Sequence, residues 1–327
     1  MRVGIDTGGT FTDFVFLSDS GMRVGKVLST PRNPAQAILQ GLREAGSLEA
    51  GADIIHGSTV ATNALLERKG SRLAFLTTAG FEDILSIGRQ TRRELYNILV
   101  EKREPLIPRR LCFGLQERTL ADGRILDRPD SRRVASLIAR LKKERVESVT
   151  LCFLHSYANP ANEEAVRRQL EAAGLAVSAS HRVLCEYREF ERASTTAVNA
   201  YVGPLMARYL GGLEGDLPGG RLRIMQSNGG CVSASGALEK PVATILSGPA
   251  GGAVGALECG TLAGFRRVIS FDMGGTSTDV SLCDGGLAVT TETLISDLPL
   301  KMPVIDIHTV GSGGGSLARP DPGGALR

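Results

Sequence analysis

The sequence predicts an α/β protein with two similar lobes, on two observations. Asp6-Thr7-Gly8-Gly9-Thr10-Phe11-Thr12-Asp13 recurs as Asp272-Met273-Gly274-Gly275-Thr276-Ser277-Thr278-Asp279, with six of eight positions identical in the frame D-x-G-G-T-x-T-D. Elsewhere, short apolar runs alternate with helical patterns, as expected when helices pack on a sheet. Each copy of the repeat follows one apolar run and leads into another, which reads as strand, glycine turn, strand.

The turn chemistry points to phosphate. Paired glycines let backbone bend with positive φ and approach a ligand without a Cβ clash. Successive N–H groups in such a bend form a concave anion site. Gly8, Gly9, Gly274 and Gly275 supply the bends, and Thr10, Thr12, Thr276 and Thr278 add hydroxyls. Asp6 and Asp272 stand at the strand ends, where a carboxylate repels phosphate unless a cation lies between. Mg²⁺ fits, because it takes one or two carboxylates plus phosphate oxygens and keeps several waters. Asp6 and Asp272 are therefore the candidate metal ligands, and Asp13 and Asp279 the candidates for orienting water or backbone. The chain has no G-x-x-x-x-G-K-[ST] phosphate loop.

In chain order, Pro34 to Ala45 reads as an amphipathic helix with Gly46 just past its end. Ile54-Ile55-His56 reads as a strand, followed by a helix capped at Ser58 or Thr59 and closed by Gly70. Arg72 to Leu76 is the next strand. Residues 80–130, with Pro105, Pro108 and Pro129, read as an insertion, with an Asp-Gly hairpin at 120–125. A helix at 131–144, a buried strand at 148–154 and a helix opened by Asn159-Pro160 and ended by Gly174 come next. Arg188 to Leu213 is mainly helical, with a bend expected at Gly203-Pro204. Leu222 to Gln226 is a strand ending in the turn Ser227-Asn228-Gly229-Gly230, and Val242 to Leu246 reads as another strand. Pro249 opens a helix of small residues to Ala263.

Bulk properties are those of an ordinary globular protein: 327 residues, 42% hydrophobic, 22% charged. A net charge of +3 does not indicate nucleic acid. Arg89-Gln90-Thr91-Arg92-Arg93 reads as a solvated helix face. Six scattered cysteines without a C-x-x-C suggest free, mostly buried thiols in the cytoplasm. No apolar stretch approaches 18 residues, so no membrane span is expected.

Further segments narrow the reading: His56-Gly57-Ser58-Thr59-Val60-Ala61-Thr62-Asn63-Ala64, Gln226 to Gly230, Leu246-Ser247-Gly248-Pro249-Ala250-Gly251-Gly252, and Asp306 to Gly315. Together with the two hairpins, these resemble the hydantoinase A / 5-oxoprolinase family of the ASKHA superfamily, which includes actin-like ATPases with RNase H-like lobes. The family also includes subunits of acetone and acetophenone carboxylases. The resemblance runs from Val3 to the last residue. It implies ATP and Mg²⁺, with Gly248 and Gly251 beside the nucleotide, and ATP-dependent opening of a cyclic amide. Its alternatives are a nucleotide-binding or inactive subunit of a multisubunit complex, and a small-molecule kinase. It divides the chain into an N-terminal region, 1–184, and a hydantoinase A region, 185–327. The second contains a lobe-connecting helix at 249–263 and the second phosphate hairpin at 268–283.

A second lobe starting near 265 has 63 residues, and a lobe of this type needs about 100. The resemblance therefore implies a truncated chain. The missing part, or a second chain such as a hydantoinase B-like subunit, would complete it, and the isolated chain is expected to bind nucleotide weakly or aggregate. His56, at a strand end beside the capped helix, is a candidate catalytic residue, with a structural role as the alternative. Asp306 and His308 alternate on an expected strand and share one face, as metal or substrate contacts. Asn228 is a turn residue first. Glu186, Arg188, Glu189, Glu191 and Arg192 read as helix-surface pairs.

Overall fold

Alternation along the first hairpin sends Val3, Ile5, Phe14 and Phe16 to one face and Gly4, Asp6, Asp13 and Val15 to the other. The computed structural model describes residues 1–30, 33–46, 51–91, 96–97, 99, 105–217, 221–275, 277–295 and 297–325. The first half runs β1 (Arg2–Thr7), β2 (Phe11–Ser18), β3 (Gly21–Leu28), α1 (Pro34–Glu44), β4 (Asp53–Ser58), α2 (Val60–Leu66), β5 (Leu73–Thr78), α3 (Ile84–Ile87), β6 (Cys112–Leu115), β7 (Arg118–Thr119), β8 (Ile125–Asp127), α4 (Ser131–Lys143), β9 (Ser148–Cys152), α5 (Ala161–Ala172) and β10 (Ala176–Ala179). It continues with α6 (Ser180–Val183), α7 (Glu189–Asp216), β11 (Arg221–Met225), β12 (Cys231–Ser233), α8 (Ala234–Glu239), α9 (Ser247–Leu262), β13 (Arg267–Met273), β14 (Thr278–Asp284), β15 (Val289–Ile295), β16 (Leu298–Ile305) and β17 (His308–Val310).

Three sheets organise these elements. The first has the order β12-β11-β4-β1-β2-β3, with β1, β4 and β11 parallel and the pairs β11–β12, β1–β2 and β2–β3 antiparallel. The second, β10-β9-β5-β6, is parallel throughout. The third, β13-β14-β17, is antiparallel and contains the second copy of the repeat. This is the α/β architecture that the sequence predicts.

Helix α7 is the spine. It is buried without interruption from Glu191 to Val202 and continues through Pro204 without breaking. A helix with apolar contacts on every side belongs inside, and no amphipathic stripe marks it. Its partners are the second sheet, α2, and the β15–β16 hairpin, whose Lys301 N–H donates to Thr195 Oγ1 at 2.9 Å. Arg89 reinforces that contact by bonding both Glu191, at 2.8 Å, and Glu292, at 2.9 Å.

Several expectations from sequence are corrected. Residues 80–130 are not simply an insertion, because β6 is an integral edge of the parallel sheet. Helix α2 stops at Leu66, and Arg68 rather than Gly70 takes the left-handed conformation. Gly70 is needed for packing: a Cβ there would lie 2.4 Å from the Tyr201 ring. The expected strand at 242–246 is a 3-10 turn, Pro241–Thr244, closed by Ala243 N–H to the Lys240 carbonyl. Arg192 and Glu191 are buried rather than on a helix surface. Three cysteines are buried and three exposed, all free. No helix among the described residues is long and apolar enough to cross a membrane.

The third sheet is covered on one face only. Val268 packs on α9 at Gly260. On the other face Ile269, Phe271, Met273 and Leu282 are each more than half exposed. Among the described residues, no helix follows Leu262.

Candidate functional site

Helix α9 brings the two copies of the repeat together. Its sequence is rich in glycine and alanine, so strands approach its backbone closely. A Cβ at Gly248 would stand 3.2 Å from Asp6 Oδ1, one at Gly57 3.3 Å from the same atom, and one at Gly252 3.6 Å from Asp272 Oδ2. Gly248 and Gly252 are one turn apart, about 6 Å along the axis. Asp6 and Asp272 therefore lie against one face of one helix, each from its own hairpin, in a cradle that larger side chains would fill.

Electrostatics agrees with that geometry. Asp6 is reached by solvent, yet protein surrounds most of it. This burial, and then the charges of Asp13 and Asp272, push its carboxyl from 3.8 up to about 6. Asp6 and Asp272, held this close with no ion-pair partner of their own among the described residues, are in the setting that a divalent cation relieves. No cluster of three or more metal-ligating side chains occurs among the described residues. A magnesium ion here would take Asp6 and Asp272 from the protein and fill its other positions from water and phosphate.

Within each turn the backbone amides divide alike. Gly8 N–H donates to the Phe11 carbonyl at 3.0 Å, and Gly274 N–H to the Ser277 carbonyl at 2.9 Å. The amides of Gly9 and Gly275 donate to no protein acceptor among the described residues, and a Cβ at either would meet nothing within 4 Å. Thr10 is exposed with no side-chain partner among those residues. Gly9, Gly275 and Thr10 thus keep free donors for an anion. Thr276 lies outside the described residues.

The other polar positions of the motif have a different role. Thr12 is fully buried and bonds Ser29 Oγ at 3.0 Å. Ser29 in turn donates to the Gly8 carbonyl at 2.8 Å. Thr278 is also buried and donates to the Ser312 carbonyl at 2.6 Å. Asp13 pairs with Lys26 on β3 at 2.9 Å, and Asp279 accepts from Thr309 on β17 at 2.6 Å. In both lobes the last Thr and last Asp brace the hairpin to a third strand. The expectation that Thr12 and Thr278 face the ligand is corrected, and Asp13 and Asp279 are committed to neighbours rather than to water.

The Gly-rich segment at 311–315 is drawn into the second turn. Gly314 and Gly315 donate to the carbonyls of Gly274 and Gly275, at 2.9 and 3.1 Å. Sequence reasoning singled out the segment but gave it no position. A cleft of about 200 Å³ lies between α9 and the second hairpin, lined by Gly252, Asp272, Asp279 and Ile307.

His56 is not in that cleft. It is wholly buried between β4 and α7, with Nδ1 3.4 Å from the Ile5 carbonyl and Nε2 2.6 Å from the Tyr209 hydroxyl. With Nδ1 carrying the proton, Nε2 accepts from the tyrosine. Burial lowers its pKa to about 4, so the ring is neutral at pH 7. The structural alternative holds for His56, because it has no route to a reacting group. Tyr209, with Gly8, Gly9, Thr59 and Asn63, lines a cavity of about 660 Å³ behind the first turn. Gly251, expected beside the nucleotide, faces the Met225 sulfur instead. Asp306 and His308 do not share a strand: β16 ends at Ile305 and β17 begins at His308, and both side chains are exposed. Asn228 forms the expected turn, its Oδ1 accepting from Gly230 N–H at 2.9 Å.

Comparisons with known proteins agree with this architecture. The profile described as the hydantoinase/oxoprolinase N-terminal region matches residues 2–174, and the hydantoinase/oxoprolinase profile matches 192–327. The chain is 35% identical to the alpha subunit of caprolactamase from Pseudomonas jessenii, over all of its own length and 50% of that subunit. It is also 35% identical to 5-oxoprolinase of Saccharomyces cerevisiae, over 97% of its own length and 28% of that protein. The solved structure of ATP-dependent caprolactamase from Pseudomonas jessenii superposes with a TM-score of 0.86 at 32% identity, covering all of this chain and 50% of that one. Nucleotide-free acetone carboxylase superposes with a TM-score of 0.86 at 29% identity, with the same coverage. The chain thus spans about half the length of these similar structures and less of the yeast protein.

Proposed function

This chain belongs to the hydantoinase/oxoprolinase family, and from that premise we propose that it takes part in ATP-dependent opening of a cyclic amide of the hydantoin or 5-oxoproline type. The observation that carries the proposal is the convergence of Asp6 and Asp272 on one face of α9, each beside a turn with free backbone donors. Asp6 and Asp272 hold Mg²⁺, which neutralises charge between carboxylate and phosphate. Gly9, Thr10 and Gly275 hold phosphate oxygens, and Gly248 and Gly252 keep the floor of the site open.

An unstrained lactam is a poor electrophile with a poor leaving group. Moving the γ-phosphoryl group of ATP to the amide oxygen activates the carbonyl carbon towards water. The tetrahedral adduct expels the protonated ring nitrogen, which breaks the C–N bond and leaves an acyl phosphate, and a second water hydrolyses that to the open-chain carboxylate and free phosphate. Phosphoryl transfer depends mainly on positioning and charge stabilisation, which paired glycine turns and two aspartates supply. Labelled ATP supplied with a candidate ring is expected to give free phosphate and an opened ring in equal amounts. A stable phosphorylated product would replace this reading with a kinase, and carboxylated product would move the chain to the carboxylase branch of its relatives.

A second polypeptide segment belongs to the proposal. The uncovered apolar face of the third sheet, with Ile269, Phe271 and Met273, is too large to stay in water without cost. Its occupant is the segment equivalent to the remaining half of the similar chains, supplied by the same polypeptide or by another subunit. Adding that segment is expected to slow amide hydrogen exchange along β13 by at least about tenfold. Unchanged exchange there would exclude this face as the contact.

A further inference from the structure

Strands β1, β4 and β11 are parallel, so their carboxyl ends share one edge of the first sheet, where ligands of open α/β sheets bind. The site described above uses the end of β1. The end of β11 opens into a separate cavity of about 650 Å³, a volume that suits a small-molecule site. Its floor is Gln226 to Asn228, one wall is residues 183–186, just ahead of α7, with Thr195 of that helix, and a further wall is the β15–β16 hairpin with Thr291 and Lys301.

Two groups in this cavity have no assigned work. Gln226 is half-buried, yet its carboxamide bonds no residue among the described ones; only its backbone is engaged, donating to the Gly230 carbonyl at 2.8 Å. The Asn228 amide, by contrast, is committed to its turn. Of the two lysines, Lys301 is neutralised by Glu186 and lies over the Tyr187 ring. Lys240 has no ion-pair partner among the described residues.

We propose that this cavity takes the cyclic substrate, with Gln226 reading the amide edge of the ring and Lys240 selecting a ring that carries a carboxylate. A lactam is a cis amide, so its N–H and C=O point the same way. A primary carboxamide offers one acceptor and donors on one edge and satisfies both with two parallel hydrogen bonds. An unpaired cation at the same cavity favours an anionic substituent over a neutral ring of the same size. This assignment rests on the reading of the chain as acting on cyclic amides and adds the substrate class and its selecting residues.

The test is equilibrium binding to the protein purified with its native partners, using 5-oxoproline and 2-pyrrolidinone, the same ring without the carboxylate. Wild type is expected to bind the acid at least about tenfold more tightly. Lys240→Ala removes that preference and leaves 2-pyrrolidinone unchanged, whereas Lys240→Arg keeps it. Gln226→Leu weakens both rings by about tenfold. The Kd for Mg-ATP, measured on the same samples, stays at the wild-type value and reports that both variants are folded. Acid binding that ignores Lys240→Ala, ring binding that ignores Gln226→Leu, or no ring binding by wild type would each overturn the proposal. Wild type that binds Mg-ATP but neither ring removes this pocket and leaves the nucleotide reading standing. Rings that bind without any Mg-ATP affinity do the reverse.

Discussion

Asp6→Asn is expected to lower ATP turnover by at least about 100-fold while raising the stability of the metal-free protein at neutral pH. The two effects share one cause. Asp6 is held beside Asp13 and Asp272 with its carboxyl pushed from 3.8 up to about 6. A carboxyl with a raised folded-state pKa binds more protons folded than unfolded. Stability therefore falls as pH rises from about 4 through about 6, and the loss is complete above that window. Asparagine keeps the shape and removes the charge, so that part of the pH dependence disappears. Thermal melts of wild type and variant without metal are expected to agree near pH 3.5 and to separate at pH 8, with the variant higher. With Mg-ATP present the order reverses, because only wild type binds. Wild-type turnover by the variant, assayed in the complete assembly, would end the assignment of Asp6 as a metal ligand.

Arg192→Leu is expected to cost about 3–5 kcal/mol of folding stability, the range for leaving the partners of a buried charge unpaired. The guanidinium is fully buried in α7. It donates to the Phe153 carbonyl at 2.6 Å, the Glu186 carbonyl at 3.2 Å and Cys152 Sγ at 3.4 Å, and sits 5.3 Å from the Tyr157 ring centroid. These acceptors lie at the end of β9 and in the loop before α7, so one side chain fastens the spine helix to the second sheet. Leucine fills part of the volume but leaves carbonyl oxygens without donors. Urea denaturation followed by circular dichroism reads the loss as a lower midpoint at unchanged slope. Arg192→Lys keeps the charge without the fork and recovers only part of it. A midpoint unchanged in Arg192→Leu would show that these hydrogen bonds contribute nothing net.

The repeat was legible as a pair of strand–turn–strand hairpins because two glycines and flanking acids leave a local signature. Its extension was not. Each hairpin has a third strand, β3 or β17, and each third strand is tied back by the same two motif positions, Thr12 and Asp13 or Thr278 and Asp279. Lys26 and Thr309, the cross-strand partners, have nothing in common as residue types. Pairing acts through backbone register, which sequence identity does not record. Because the signature could not separate ligand-facing from bracing positions, Thr12 and Thr278 read as phosphate contacts. Likewise, His56 looked catalytic from its place at a strand end, and only its contact with Tyr209, more than 150 residues away, made it structural.

Local chemistry settled what could be settled locally: the glycine bends, the acids beside them, the helix stops at Gly46 and Gly174, and the family to which the chain is related. Tertiary structure decided the rest, because those questions concern distance in space. It chose Gly252 instead of Gly251 to meet the second carboxylate, since the strand and helix orientations set which glycine faces Asp272. It buried Arg192 in a helix whose charges suggested a surface, since burial depends on what packs around a residue. It also set Asp6 and Asp272 against one turn of one helix, where burial and then the charges of Asp13 and Asp272 raise the Asp6 pKa.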